Sequence, residues 1–192
     1  MAAKNFDKVV VIDVESTCWE ENQQPRGVPS EIIEIGACLL DLRTLERGAP
    51  VSIIVRPGLS AVSPFCTKLT GLTQEKVTGP GALTLEQACD KLVKEFKTRD
   101  RAWASFGDYD RDQFDRCCKL VGVEYPFGRT HLNVKALLAI SLGWGEGMGL
   151  DASLKKLGMR FDGRLHSGAD DSWNVANVLS VLLKKVRAVP RE

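Results

Sequence analysis

The chain has 192 residues, a length that suits one domain with a sizeable core and is long for two. Its 26 basic and 25 acidic side chains leave a formal net charge of +1, so no overall positive field marks a nucleic-acid partner, although bound cations would add charge the sequence does not count. No apolar run approaches the ~20 residues of a membrane helix, no leader pattern opens the chain, and six cysteines show no CxxC or framework spacing; reduced thiols in a cytoplasmic, intracellular protein with no membrane partner are expected.

Lys8 to Glu15 predicts a strand rich in Val and Ile. Residues 21–30, "ENQQPRGVPS", are a polar loop, and Glu31 to Asp41 and Pro50 to Val55 predict two further strands. The connections are too short for crossover helices, so these three strands are expected to form a meander. "SPFCTKLTG" predicts a short helix with Pro64 in its first turn. Leu83 to Thr98 is amphipathic, with Leu85, Ala88, Cys89, Leu92, Val93 and Phe96 on one stripe. A strand at Ala102 to Phe106 precedes a helix at Asp110 to Val121, whose apolar positions are Phe114, Cys117, Cys118 and Val121. A strand at His131 to Val134, helices near 135–142 and 149–158, and a last helix from Ser167 to Arg187 complete the chain. The pattern implies a layered α/β domain with a mixed sheet flanked by helices. The basic "KKVRAVPRE" and Lys155, Lys156, Arg160 and Arg164 read as solvated surface.

Side chains alternate along a strand, so Val9, Val11, Asp13 and Glu15 share one face. Both acids stand at the carboxyl end of a strand apolar on both faces, where ligands collect in open α/β sheets. Like charges this close repel, and a divalent cation relieves the repulsion; the bland alternative is a strand that ends in solvated acids. In the last helix Asp171 heads a stripe of Val175, Val178, Leu179, Leu182 and Val186, while Asp170 shares another face with Asn174, Asn177 and Lys184. Ser167 and Asp170 fit a capping box, which gives Asp170 a structural role and leaves Asp171 without one. His166 lies just before the cap. In "SFGDYDRDQF", Asp110 lies four residues before Phe114 and extends the buried stripe, whereas Asp108 suits the N-cap.

D-x-E on the first strand, a central Asp and a final H-x4-D resemble the DEDDh 3′→5′ exonucleases, the superfamily of ribonuclease T and the proofreading subunits of DNA polymerases. "DVESTCW", "EIIEIGACLL", "SPFCTKLTGLTQ", "GDYDRDQF", "NVKAL" and "LHSGADDSWNVANVL" are similar to the Eri-type histone-mRNA and small-RNA exoribonucleases. "SFGDYD" stands where proofreading subunits carry HNAxFD, which favours the Eri-type branch. The resemblance implies a ribonuclease H-like fold with a mixed five-stranded sheet, in a single exonuclease domain with its catalytic core at about 6–187. It leaves no room for the added nucleic-acid-binding domain of some Eri-type proteins. It further implies hydrolysis at 3′ ends of single-stranded nucleic acid, RNA favoured, with release of nucleoside 5′-monophosphates.

By the same resemblance two divalent cations, Mg²⁺ or Mn²⁺, are held by Asp13, Glu15, Asp110 and Asp171. Asp13 bridges both, Glu15 and Asp171 complete the site of the ion that activates water, and Asp110 holds the other. His166 is the expected general base. His131 reads as structural or surface, and Cys66, Cys117 and Cys118 as packing. The backbone of Ser16, Thr17 and Cys18 is expected to line the site. Phe65, Leu69 and Leu72 either pack on terminal bases or form a satellite core. Trp19 either stacks on a base or covers the core, and Lys135 either reaches a phosphate or is solvated. The alternatives are a DNA-directed 3′→5′ exonuclease and a catalytically silent nucleic-acid-binding or interaction protein.

Overall fold

A computed structural model describes residues 5–188. Its first strand, β1 (Asn5–Ser16), is buried on both faces from Val9 to Ile12. β2 (Ile32–Asp41) pairs antiparallel with β1, and β3 (Val51–Ile54) antiparallel with β2, which is the expected meander. β4 (Arg101–Ser105) adds in parallel on the other side of β1, and β5 (His131–Asn133) in parallel beyond it. The order is β3-β2-β1-β4-β5, a mixed five-stranded sheet.

Helices cover both faces of the sheet, and the alternation along β1 decides which core each joins. Val10, Ile12 and Val14 pack with α3 (Leu85–Lys91, continued by a π turn over Leu92–Phe96) and α4 (Tyr109–Val121). Val9 and Val11 pack with α5 (Val134–Leu142), α6 (Leu150–Lys156) and α7 (Gly168–Arg187). Under the loop after β1, α1 (Pro64–Thr70) and α2 (Gln74–Thr78) enclose a third, smaller core of Ile33, Cys66, Leu72 and Val77. All six cysteines are free thiols. Among the described residues no helix is long and apolar enough to cross a membrane.

Several expectations need correction. Helix α2 was not foreseen: five residues capped by Thr73 are too few for a periodic signal. α3 starts at Leu85 rather than Leu83, because Thr84 and Gln87 form a reciprocal capping box. Val121 and Val186, assigned to buried stripes, are about half exposed; each lies in the last turn of its helix, beyond the sheet. Asn174, on a face of the helix apart from the Asp171 stripe, is nonetheless fully buried and holds the preceding loop through both ends of its amide, which meets Asp162 N, Asp162 O and Asp170 O. The basic segment at the C-terminus extends into residues 189–192, outside the described residues.

One contact sets how closely α7 lies on the sheet. Gly36 of β2 meets Gly168 at the head of α7, and a Cβ on Gly36 would stand 1.8 Å from Gly168 O. Beside it Glu34, buried, accepts the Gly168 N–H at 3.1 Å and the Ser52 hydroxyl. Backbone-to-backbone approach without side chains lets the first turn of α7 sit directly over β1 and β2.

Candidate active site

The pairing of β1 with β4 ends at Val11–Ala104, whereas its pairing with β2 runs on to Ser16. Past Val11 the strand has lost its parallel neighbour, and a cleft of about 570 Å³ opens at the carboxyl ends of the two parallel strands. Asp13 and Glu15 line it. α4 begins just past β4, and Asp110 Oδ1 accepts the Val14 N–H at 2.9 Å, on the side β4 no longer covers. Asp171 comes from the first turn of α7, where its Oδ2 accepts the Ser167 N–H at 3.1 Å. His166 lies in the turn before α7, exposed on the rim, with φ +60°.

The caps differ from those read in the sequence. Asp171, not Asp170, reaches back to the Ser167 N–H, and the Ser167 side chain makes no capping bond. Asp170 instead accepts the Arg164 N–H at 3.0 Å. Asp108 is the N-cap residue of α4 but caps nothing with its side chain, which binds Asn133 Nδ2 at 2.8 Å and Arg111 at 3.1 Å. Its backbone is near-helical there (φ −105°, ψ −10°), not the extended conformation in which a side chain turns back over the first turn.

Carboxylate oxygens of Asp13, Glu15 and Asp171 lie within 4.8 Å of one another. Burial pushes the Glu15 carboxyl up to about 8, with Asp171, Glu34 and Asp110 adding repulsion and Arg164 opposing it. Burial lifts Asp171 to about 7 against the N–H groups of Ser167 and His166, and lifts Asp110 to about 6 against the N–H of Val14. Asp13 is driven well above the usual carboxylate range by burial and then by Asp110, Asp171, Glu15 and Glu34. Without a cation these groups relieve their repulsion by keeping protons. An oxygen-rich, strongly repulsive set of this kind fits a hard divalent ion.

The other residues singled out in the sequence lie elsewhere. Thr17 is fully buried: its Oγ1 and Ser60 Oγ share a hydrogen bond at 2.9 Å, and it accepts the Glu31 N–H. The carbonyls of Ser16, Thr17 and Cys18 accept from Cys66, Ser30 and Ser63. These three residues therefore fasten the loop after β1 to its surroundings, and the cleft wall stops at Glu15. Leu72 belongs to the satellite core, while Phe65 and Leu69 stand partly exposed on α1 outside it. Lys135 lines a neighbouring groove with Asn133 and Trp144. Trp19 is half-buried in the loop. His131 is structural, its Nε2 2.8 Å from Ser105 Oγ and its ring against Trp103.

Phe106, Tyr109, Leu150 and Leu165 form the apolar and aromatic walls of the cleft, and no sequence motif marks them as such. Tyr109 had a signal short of a motif, an aromatic directly before the helical acid, and it stands 55% exposed. Glu34 had none without the register that sets it opposite Glu15.

A mixed five-stranded sheet with acids from its first strand and from two helices converging at one end is a ribonuclease H-like architecture built to hold cations. Residues 10–179 match the RNase_T exonuclease family model, and the chain belongs to that family. Within it the chain is 34% identical over 189 residues to the human 3′-5′ exoribonuclease 1, covering 93% of this chain and 53% of that protein. It is 31% identical to the human ERI1 exoribonuclease 3, covering 93% and 54%. The nuclease domain of 3′hExo, a DEDDh family member bound to rAMP, superposes with a TM-score of 0.83 at 31% identity, over 96% of this chain and 95% of that one. The chain spans about half the length of the curated relatives it matches. The ribonuclease H-like fold expected from the sequence is the fold of these neighbours.

Proposed function

We propose that this chain is a 3′→5′ exonuclease that removes nucleoside 5′-monophosphates from single-stranded RNA 3′ ends, with a catalytic core at about residues 6–187. The observation that carries the reading is the convergence of Asp13, Glu15, Asp110, Asp171 and His166 on one cleft. The RNA substrate is supported by the relatives' names, 3′-5′ exoribonucleases, and by a neighbour solved in 3′-end-specific recognition of a histone mRNA stem-loop. Six free thiols fit a reducing compartment such as the cytoplasm.

Asp13, Glu15 and Asp171 would hold one divalent ion, and Asp13 with Asp110 a second, Mg²⁺ or Mn²⁺ in each case. When bound, the ions supply charge neutralisation at the scissile phosphate and acidify water. The protein's own part is to place and deprotonate. The His166 imidazole takes a proton from the attacking water, the new P–O bond forms, and the bond from phosphorus to the 3′ oxygen of the preceding nucleotide breaks. That oxygen takes up a proton and becomes the 3′ hydroxyl of the shortened chain. Tyr109, exposed on the rim beside Asp110, offers a face for the terminal base. The cleft volume lies in the range of small-molecule sites, about 300–1,000 Å³.

The test is incubation of the purified chain with 5′-labelled single-stranded RNA, single-stranded DNA and duplexes, with Mg²⁺, Mn²⁺ or excess chelator. The expected result is a ladder of products shortened from the 3′ end of RNA, abolished by chelator. Faster digestion of DNA would reassign the substrate. Internal cuts, or turnover in chelator, would overturn the mechanism.

A further inference from the structure

His166 sits on a segment that burial does not fix. Residues 162–166 are all exposed, and the histidine itself adopts a left-handed conformation that L residues rarely take. Something outside the segment must hold it. From below, the first turns of α7 do so: Asn174 and Trp173 hold Asp162, Asp170 accepts the Arg164 N–H, and the His166 N–H acts on the Asp171 carboxylate. From the side, among the described residues, the hydrogen bond to a different layer of the fold comes from the Arg164 side chain. Its Nη2 donates to Leu69 O at 2.9 Å, a carbonyl in the last turn of α1, 95 residues away. The guanidinium occupies the space a side chain would need at Gly71, the left-handed residue that ends α1: a Cβ there would lie 1.9 Å from Arg164 Nη1. The charge is also close enough to Glu15 to favour its ionised form.

We infer that Arg164 is a positioning residue, a latch that fastens the His166 segment to the C-terminal end of α1. The inference rests on the exonuclease reading for its catalytic consequence, not for the latch itself. Two features of α1 acquire a reason from it. Gly71 closes the helix with a positive φ, and it also leaves the guanidinium its seat. The orphan carbonyl of Leu69, which a helix end leaves without an intrahelical donor, receives a charged one. α1 carries Phe65 and Leu69, so anything that grips α1 also bears on the height and direction of the imidazole.

The test uses Arg164→Ala, an exposed substitution that should leave the melting temperature nearly unchanged. Amide hydrogen exchange, which needs no activity, should rise in residues 162–167 and in the last turn of α1. Unchanged exchange in both would overturn the latch, whether or not the chain cleaves RNA. Turnover at saturating Mn²⁺ should fall by about 10²-fold, the scale of a misplaced catalytic group, with KM for RNA held within about twofold. In a His166→Ala background the same substitution should cost nothing further, because a group acting through another is silent once that other is gone. A loss that persists in that background, or one carried by KM, would show that Arg164 acts on the substrate directly and would overturn a positioning role. A wild-type chain with no nuclease activity would refute the exonuclease reading while exchange still decided the latch.

Discussion

Asp110 Oδ1 accepts the backbone N–H of Val14 at 2.9 Å, which locks the acid of α4 between the two acids of β1, Asp13 and Glu15. The bond exists because β4 stops pairing with β1 at Val11 and leaves a ladder donor free. One carboxylate thus does two jobs, satisfying a buried N–H and facing the cleft. Asp110→Asn should therefore cut exonuclease turnover by several orders of magnitude while the melting temperature moves little, since the amide oxygen can still accept from Val14. Asp108→Ala breaks only solvent-exposed bonds to Asn133 and Arg111 and should cost under about 1 kcal/mol, with most activity kept. Reversed phenotypes would exchange the two roles.

Stability without metal should fall as pH rises. The cluster carboxyls have raised values in the folded protein, so between their unfolded value near 4 and about 8 for Glu15 the folded state binds more protons than the unfolded one. The proton difference makes the slope negative over that window. Melting temperatures in chelator should decline from pH 5 to 8. Mn²⁺ should restore more at pH 8 than at pH 5, because it replaces protons that are by then costly to hold. A flat profile in chelator would mean that the acids are solvated.

Asp13→Ala removes the acid that repels all the others. In chelator at pH 8 its melting temperature should equal or exceed that of the wild type, and in Mn²⁺ the stabilisation by metal should shrink. A large loss of stability in chelator would make Asp13 a structural residue.

His166→Ala should lower turnover by about 10²- to 10⁴-fold, the range of a general base. Metal-induced stabilisation should remain, since His166 stands on the rim and the acids hold the ions. Near-normal turnover would remove His166 from the chemistry.

Gly36→Ala tests the close approach of α7 to the sheet. A methyl 1.8 Å from Gly168 O cannot be accommodated without moving the helix. The expected cost is at least the ~1–3 kcal/mol of overpacking, with a larger loss of metal affinity than of helical circular dichroism. Unchanged metal affinity would uncouple α7 placement from the site.

Much of the site was legible because its acids interrupt patterns. Asp13 and Glu15 end a β-branched run, and Asp110 and Asp171 head apolar stripes, so each is an acid where periodicity asks for a buried residue. What stayed hidden depends on facts a local pattern does not hold. Asp171 rather than Asp170 partners Ser167 because Asp170 is engaged by the Arg164 N–H, a contact that depends on how the preceding loop folds back. Glu34 needs the β1–β2 register. Adjacency to Glu15 suggests that the backbone of Ser16, Thr17 and Cys18 lines the site, but these carbonyls accept from Cys66, Ser30 and Ser63, whose positions depend on loops distant in sequence. Val121 and Val186 show the same limit at helix ends, where the apolar repeat outlasts the surface it could cover.

The acids are divided among the layers of the fold: two on the central strand, one on a helix of the first face and one on a helix of the second, the last to be reached along the chain. A chain still emerging from the ribosome with α7 unmade lacks Asp171 and the helix turn on which the His166 segment rests. Such a nascent chain can build its sheet while surrounded by RNA and yet hold no complete set of the groups that the proposed reaction needs until α7 docks.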